Sequence, residues 1–139
     1  VDFANDCLWG TLSCTVLIDS QTQSQYRSAL DSAIANLRYG AIGINLWSAM
    51  LFYLGSTTWG AYPGNPLTDI GSGIGFVHNS YLFDRPQKSV VYAPFRIFPT
   101  PVWFATHKHL LGIAKHLLKF EAYPTWQNLP AVIMAALRG

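Results

Sequence analysis

The sequence has few charged residues for its length, and this scarcity limits the kinds of surface it can form. Asp, Glu, Lys and Arg make up 12% of the 139 residues, against about 25% in an ordinary soluble domain. A small domain needs polar groups to cover its surface. We therefore expect part of the surface to be covered by another segment of the protein, another subunit or a membrane.

Cysteines are also few, and their spacing excludes the common thiol sites. Cys7 and Cys14 are the only two, and their separation matches neither zinc-ligand spacing nor the redox CxxC pattern. His109 and His116 share a helical face two turns apart, which is too far for both to bind one ion without a third element. No metal site is predicted. The lack of a disulfide framework favours a reducing, cytoplasmic setting.

Long apolar runs and concentrated basic charge are missing as well. Residues 39–68 carry no charge, but the apolar run within them, over 41–54, is shorter than the roughly 20 residues of a membrane span, and Asn45 and Ser48 interrupt it. The nine Lys and Arg are scattered along the sequence, without the basic stripe that nucleic acid requires. We expect no nucleic-acid partner and no membrane partner. Residues 1–6 have the pattern of a helix end, not of a signal peptide, which favours a piece of a longer protein.

The first third of the chain predicts a strand–helix–strand unit. Residues 12–18 are apolar and β-branched and predict a strand that is buried on both faces. Ser20 and Gln23 have the form of a capping box, so a helix is predicted over about 21–38. Residues 41–47 predict a second buried strand. A unit of this length is typical of two parallel strands joined by a crossover helix, which predicts the α/β fold class.

The middle of the chain predicts a long loop and then a hairpin or edge strand. Glycines punctuate residues 48–79, and loops of this length tend to be functional. Extended segments are predicted over 79–83 and 89–92. Pro86 lies between them, and proline is excluded from the interior of a central strand.

The C-terminal third is predicted to be helical. Thr100 and Pro101 have the form of an N-cap and a first-turn proline, which predicts a helix over 101–120. A last helix over 129–137 is apolar almost all round and is expected to be buried. We divide the chain at this change of character, into residues 1–94 and a helical extension, residues 95–139.

No motif in the chain predicts catalysis. Gly71, Gly73 and Gly75 approach the dinucleotide-binding pattern G-x-G-x-x-G, but the third glycine comes one residue early and an extended segment follows instead of a helix. A tightly turning loop is the simpler interpretation. No Ser lies in a G-x-S-x-G nucleophile elbow. Cys14 falls within a predicted strand, where burial makes a thiol inert.

The order of motifs resembles the C-terminal part of the NAD(P)-dependent aldehyde dehydrogenases. Ala4-Asn5-x-x-x-Trp9-Gly10-Thr11-Leu12 is similar to that family's A-N-x-x-x-Y-G-L stretch, and Ile42-Gly43-Ile44-Asn45 resembles its G-x-V-x-V-N strand. Trp59-Gly60 and Gly71-Ser72-Gly73 are similar to degenerate forms of its F-G-G…S-G loop. The resemblance covers about residues 2–94, and the loop over 56–75 departs from the family pattern.

The resemblance implies an incomplete catalytic domain. The family's catalytic cysteine, general-base glutamate and NAD(P)-binding segments belong upstream and have no counterpart here. The resemblance therefore implies no catalytic or cofactor-binding residue in this chain, with NAD or NADP bound by the parent enzyme. The resemblance also implies two kinds of partner, the upstream segments of the same protein and further copies of it in a homodimer or homotetramer.

Two sets of residues carry over from the family by position. The residues after the V-N strand line its substrate tunnel, which here implies Leu46, Trp47 and Ser48, with Met50 and Phe52 as further candidates. An equally open alternative is that Trp47 and Phe52 are core aromatics. The terminal strand that carries the family's oligomer contact corresponds to Tyr81, Leu82, Phe83, Val90, Val91 and Tyr92.

Two other functions remain open at this point. The chain could be a non-catalytic scaffold domain that self-associates through an edge strand, since an exposed edge is a template for pairing. It could also dock on a membrane surface through the Lys-edged apolar helix predicted over 101–120. The substrate, the choice between NAD and NADP, and the oligomer size are not predicted.

Overall fold

A parallel three-stranded sheet organises the first part of the chain. The computed structural model describes residues 1–102 and 104–138. The strands β1 (Ser13–Val16), β2 (Ala41–Ile44) and β5 (Ser89–Tyr92) lie in the order β1-β2-β5, and both pairs are parallel. In register, Cys14 lies beside Ile42 and Ile42 beside Val90. The α/β class and the parallel pairing of the first two strands are confirmed.

The connection between β1 and β2 contains two helices, although one was predicted. These are α1 (Ser20–Gln25) and α2 (Arg27–Asn36), which meet at Tyr26. No residue of α1 is buried, so tertiary packing does not hold it in line with α2. The predicted capping box at Ser20 is wrong. Asp19 is the N-cap, and its carboxylate accepts from the backbone N–H groups of Gln21 and Thr22.

The core lies between α2 and one face of the sheet. Ile42 and Ile44 are fully buried and pack with Ile34, Leu37 and Tyr39. Full burial of one such aliphatic side chain stabilises the fold by about 1.5–3 kcal/mol. Partly buried side chains of the outer strands pack against the same cluster: Cys14, Val16 and Val90. All four residues of β2 are buried, whereas Thr15 in β1 is exposed, so the predicted burial of the first strand on both faces is wrong.

The predicted loop over 48–79 contains regular structure. A short helix, α3 (Met50–Tyr53), is followed by an antiparallel ribbon of β3 (Trp59–Gly60) and β4 (Phe76–His78). Glycine is required in this region at position 60, where a Cβ would lie 2.3 Å from the carbonyl oxygen of Gly75.

The strand predicted over 79–83 is absent, so Tyr81, Leu82 and Phe83 do not form part of an oligomerisation strand. They lie in a turn closed by the Asn79 side chain, whose Nδ2 donates to Phe83 O and whose Oδ1 accepts from Phe83 N. An Asn side chain that bonds nearby backbone in this way competes with strand pairing. The hairpin is wrong as well, because β5 pairs in parallel with β2 as an edge strand.

By contact, the chain forms two units, Val1–Phe95 and Arg96–Gly139. The second contains α4 (Leu110–Ala122) and α5 (Leu129–Ala136), which pack against each other. The helix predicted from Pro101 begins nine residues later, and Trp103, which it included, lies outside the described residues. The physical reason is His107. Its Nδ1 accepts the His109 N–H at 3.1 Å, the amide that a longer helix would have used within its backbone.

The last helix is not buried as predicted. Ile133 and Met134 are exposed on α5, and no residue of the helix is fully buried. One face of α5 packs against α4 and the other is exposed. Because nearly every residue of the helix is apolar, the sequence did not show which face packs.

Candidate functional site

The turn that follows β2 fixes the position of the predicted tunnel residues. It begins at Asn45, which has a left-handed backbone conformation with φ +57°, a region that Asn tolerates better than most residues. The Asn45 N–H donates to Val16 O at 2.8 Å, and its Oδ1 accepts from Ile18 N at 2.8 Å. The turn is therefore fastened to the carboxyl end of β1.

Residues 46–48 fold back over the sheet face opposite α2. Thr15 Oγ1 donates to Leu46 O at 3.2 Å and accepts from Ser48 N at 3.0 Å. Ser48 Oγ donates to Ser13 Oγ at 3.1 Å. A Cβ on Gly43 would lie 2.4 Å from Leu46 O. The close approach of the turn to β2 therefore requires glycine at position 43.

This turn directs the five predicted tunnel residues to different environments. Trp47 is 64% exposed and Phe52 is 42% exposed, so the alternative in which both are core aromatics is wrong. Ser48 is buried against β1, and Leu46 and Met50 are partly buried. The side chains of Trp47 and Phe52 are therefore exposed to solvent. The hydrogen bonds of Ser48 to β1 hold the backbone next to Trp47 in place.

Phe52 lies at the centre of a group of aromatic rings. Its ring stacks on His78 at 4.9 Å between centroids and meets the rings of Tyr53 and Trp59 edge-on, each at 5.7 Å. Both arrangements are favoured geometries for aromatic pairs. The cluster joins α3 to the β3–β4 ribbon and gives Phe52 a defined orientation, which the sequence did not predict.

A cleft of about 500 Å³ lies at the carboxyl end of β5, beside α1 and α2. Ligands of open α/β sheets commonly bind at this edge. The cleft has mixed chemistry, with polar groups, one cation and one carboxylate, and its lining residues are Ser20, Gln23, Ser24, Arg27, Leu30, Asp31 and Tyr92. It can accept a small polar molecule, but it brings together no nucleophile with a base.

The two thiols have different surroundings. Both cysteines are free; Cys7 is exposed and Cys14 is partly buried. Burial raises the pKa of the Cys14 thiol, with a smaller opposing effect from the positive charge of Lys88. A raised pKa disfavours the thiolate, the reactive form. This agrees with the prediction that Cys14 is an inert residue of the strand.

Lys88 has a structural role that the sequence did not reveal. Its Nζ donates to the carbonyl oxygens of Ile34, Ala35 and Leu37 at 3.0, 2.8 and 2.5 Å. It also lies 5.2 Å from the centre of the Tyr62 ring. Cations stabilise the carboxyl end of a helix, where carbonyl groups lack partners. Burial lowers the pKa of Lys88. No local pattern predicts these contacts, which join residues over 50 positions apart.

The Ala4-Asn5 pair also acts at the end of α2. Asn5 Nδ2 donates to Asn36 O at 2.9 Å, and Asn5 Oδ1 accepts from Arg38 N at 2.8 Å. The Tyr39 hydroxyl donates to Ala4 O at 2.8 Å. These bonds tie the N-terminal helical turn, Phe3–Cys7, to the segment that enters β2. Ala4 and Asn5, two of the residues that carried the family resemblance, therefore have a structural role in this fold.

The glycine loop is a turn tied to the start of β1. Gly71, Gly73 and Gly75 all have positive φ, and Ser72 Oγ accepts from Thr11 N at 2.8 Å. Its role in the described structure is to position Trp9-Gly10-Thr11. An extended strand, β4, follows it, so the loop lacks the helix amides that a bound pyrophosphate would need.

Within residues 1–102 and 104–138, no group of three or more His, Cys, Asp or Glu is placed to hold a metal ion. Over the same residues, no helix has both the length and the apolar character needed to cross a bilayer. Comparisons with protein-family models, curated proteins and solved structures gave no match to this chain.

Proposed function

We propose that this chain forms a substrate-tunnel wall and a subunit-contact surface of an aldehyde dehydrogenase-like oxidoreductase. The catalytic cysteine, the general-base glutamate and the NAD or NADP site belong to upstream segments of the same protein. In the intact enzyme a thiolate adds to the aldehyde, hydride passes to NAD(P)+, and water releases the acid. This chain contributes no reacting group to that sequence.

The observation that carries the proposal is the turn over 45–48. It lies at the carboxyl end of a parallel sheet, where ligands of α/β proteins commonly bind. One backbone hydrogen bond and one side-chain hydrogen bond of Asn45 fix the turn. The side chain of Trp47, which lies on this turn, is 64% exposed. A large aromatic side chain held open on a rigid turn is suited to forming one wall of an apolar tunnel.

The open edges of the sheet also support the proposal. Among the described residues, β1 and β5 are both outer strands, and Leu17, just beyond β1, is exposed. An unpaired outer strand presents free N–H and C=O groups, which native proteins commonly cover with a helix or a loop. Further segments of the protein would cover these surfaces. Two free cysteines are consistent with a cytoplasmic setting, which we include in the proposal.

An activity comparison tests the proposed function. Purified chain 1–139 and the complete product of its reading frame are each given an aliphatic aldehyde with NAD+ or NADP+, and formation of the reduced nicotinamide is followed. We expect turnover by the complete product only. Turnover by chain 1–139, or a complete product without an upstream cysteine nucleophile and glycine-rich cofactor loop, would contradict the proposal.

Self-association as a scaffold is the second candidate, and the unpaired outer edge of β5 is the observation that favours it. Light scattering over a range of concentrations measures the mass of the chain. A scaffold built on this edge would associate. Tyr92→Pro would return it to a monomer, because the Tyr92 N–H lies on the outer side of β5, away from β2, and proline removes this backbone donor from the pairing edge. A monomer at every concentration would exclude this candidate.

A further inference from the structure

Basic charge is concentrated in the second unit. Arg96–Gly139 contains five of the nine Lys and Arg but only one of the seven Asp and Glu, which is Glu121. The remaining residues, Val1–Phe95, hold four of the basic and six of the acidic residues. The net charge therefore differs between the units, because basic residues exceed acidic ones by four in the second unit and acidic residues exceed basic ones by two in the first. This gives the helical unit a positive potential of its own.

An apolar stripe is open on α4. Leu111 and Leu118 are each 70% exposed and lie seven positions apart, which places them on one side of the helix. Leu110 and Leu117 are also exposed beside them. We call these four residues the leucine stripe. Ile113 is buried and lies roughly 150° around the helix from Leu111 and Leu118, so these two leucines point away from the side on which α4 packs. Leu110 and Leu117 lie between the two sides and are less exposed.

Lysines border this stripe. At 100° per residue, Lys115 and Lys119 follow Leu111 and Leu118 around the helix. Both lysines are exposed, and a lysine can lay its aliphatic stem along apolar surface while its ammonium group reaches outward. His116 lies further round on the polar side. Glu121, the unit's one Asp or Glu, lies on the same side of α4 as the stripe, one turn after Leu117 and Leu118, in the last turn of the helix.

Exposed aromatic residues follow the stripe directly. Tyr123 and Trp126, in the connection between α4 and α5, are 70% and 86% exposed. Tyr and Trp rings, apolar with one polar group, favour the boundary between hydrocarbon and water. An open apolar stripe, flanking lysines and adjacent Tyr and Trp are together the features of a helix that lies in a lipid interface.

We propose that the unit Arg96–Gly139 docks on the surface of an anionic lipid bilayer through the leucine stripe. The leucines enter the boundary between headgroups and acyl chains, and Lys115 and Lys119 contact lipid phosphates. Charge complementarity is the reason for choosing this occupant, because the lysines flank the apolar surface and a negative headgroup layer lies at their level. The proposal does not depend on the proposed enzymatic function, since it uses no residue of the tunnel wall.

Co-sedimentation of the full chain with lipid vesicles tests the docking. One set of vesicles is phosphatidylcholine alone, and the other contains about 30% phosphatidylglycerol, a fraction in the range of anionic membranes. We expect binding to the second set, weakening as salt rises. Lys115→Gln with Lys119→Gln should weaken binding roughly 30-fold, about fivefold for each lysine. Leu111→Ser with Leu118→Ser should abolish it, since the apolar contact is lost.

Matched controls lie in the first unit. Leu17→Ser with Leu67→Ser removes two leucines that are at least as exposed as Leu111 and Leu118, and Arg27→Gln with Arg85→Gln removes two exposed cations. Both pairs should bind as the unaltered chain does. The stripe is exposed, so the substitutions should leave the far-ultraviolet circular dichroism unchanged. The proposal would be overturned by binding that does not depend on salt, by equal binding to both kinds of vesicle, or by an equal loss of binding in the controls. It would also be overturned if the chain did not bind vesicles and instead formed a dimer that the stripe substitutions dissociate.

Discussion

Single residues fix the backbone where the chain leaves the sheet. Asn45 combines a left-handed φ of +57° with a side-chain bond to Ile18 N, and Gly43 gives the turn room to fold back. The sequence predicted that residues 46–48 would matter, by resemblance. It did not predict this geometry, because the bonds to β1 join residues about 30 positions apart.

Replacing Asn45 should separate the backbone effect from the hydrogen bond. Asn45→Ala loses the bond to Ile18 N and keeps a side chain that disfavours positive φ, so we expect the free energy of unfolding to fall by about 2–4 kcal/mol. Asn45→Gly loses only the bond and should cost less. Urea denaturation measures both variants. An equal loss in the two would contradict a contribution from the backbone conformation.

Cys14 should make the chain less stable at alkaline pH. Burial raises its folded pKa, so the folded state holds a proton that the unfolded state releases first. The stability it contributes is complete below the ordinary thiol pKa and is lost as pH rises through the folded pKa. Cys14→Val should flatten this alkaline decline in urea denaturation, while Cys7→Val, at an exposed thiol, should leave it in place. An unchanged decline in Cys14→Val would contradict the assignment.

At the scale of elements, capping decides where the crossover begins and ends. Asp19 caps α1, and Lys88 and Asn5 contact the carboxyl end of α2. The three strands of the parallel sheet were predictable because β-branched and apolar runs need only local sequence, whereas the short strands β3 and β4 were predicted to be loop. Three other features were not predictable: the break at Tyr26, the start of α4 at Leu110 and the turn over 79–83. Each depends on a specific side-chain hydrogen bond or on missing tertiary packing.

The Asp19 cap should give α1 a stability that is lost in acid. Side-chain and backbone hydrogen bonds from Thr22 lower the pKa of the Asp19 carboxyl. A depressed folded pKa gives stability that is present above the ordinary Asp pKa and is lost as pH falls through the folded value. Asp19→Asn keeps a capping oxygen without titrating. We expect its stability, measured by urea denaturation, to fall below that of the unaltered chain at neutral pH and to converge with it in acid. A constant difference across pH would contradict this.

At the scale of the whole molecule, two units divide the surface chemistry. Val1–Phe95 carries the sheet and the exposed Trp47, and Arg96–Gly139 carries the leucine stripe and most of the basic charge. The low charge content predicted that something else covers part of the surface, which stays a prediction; the structure shows where the exposed apolar side chains lie. Composition could not assign that surface to a unit, because burial depends on which helix face packs inward.

The most direct test of the proposed tunnel wall is the kinetic effect of Trp47→Ala on aldehyde oxidation by the complete protein. We predict that KM for the aldehyde rises about tenfold, equivalent to about 1.4 kcal/mol of lost contact, while kcat changes less, because Trp47 touches no reacting group in this account. Trp9→Ala is the matched control. Trp9 precedes β1 and Trp47 follows β2. Because the two strands are parallel, Trp9 lies at their amino ends and Trp47 at their carboxyl ends. An unchanged KM in Trp47→Ala, or the same rise in Trp9→Ala, would contradict the account.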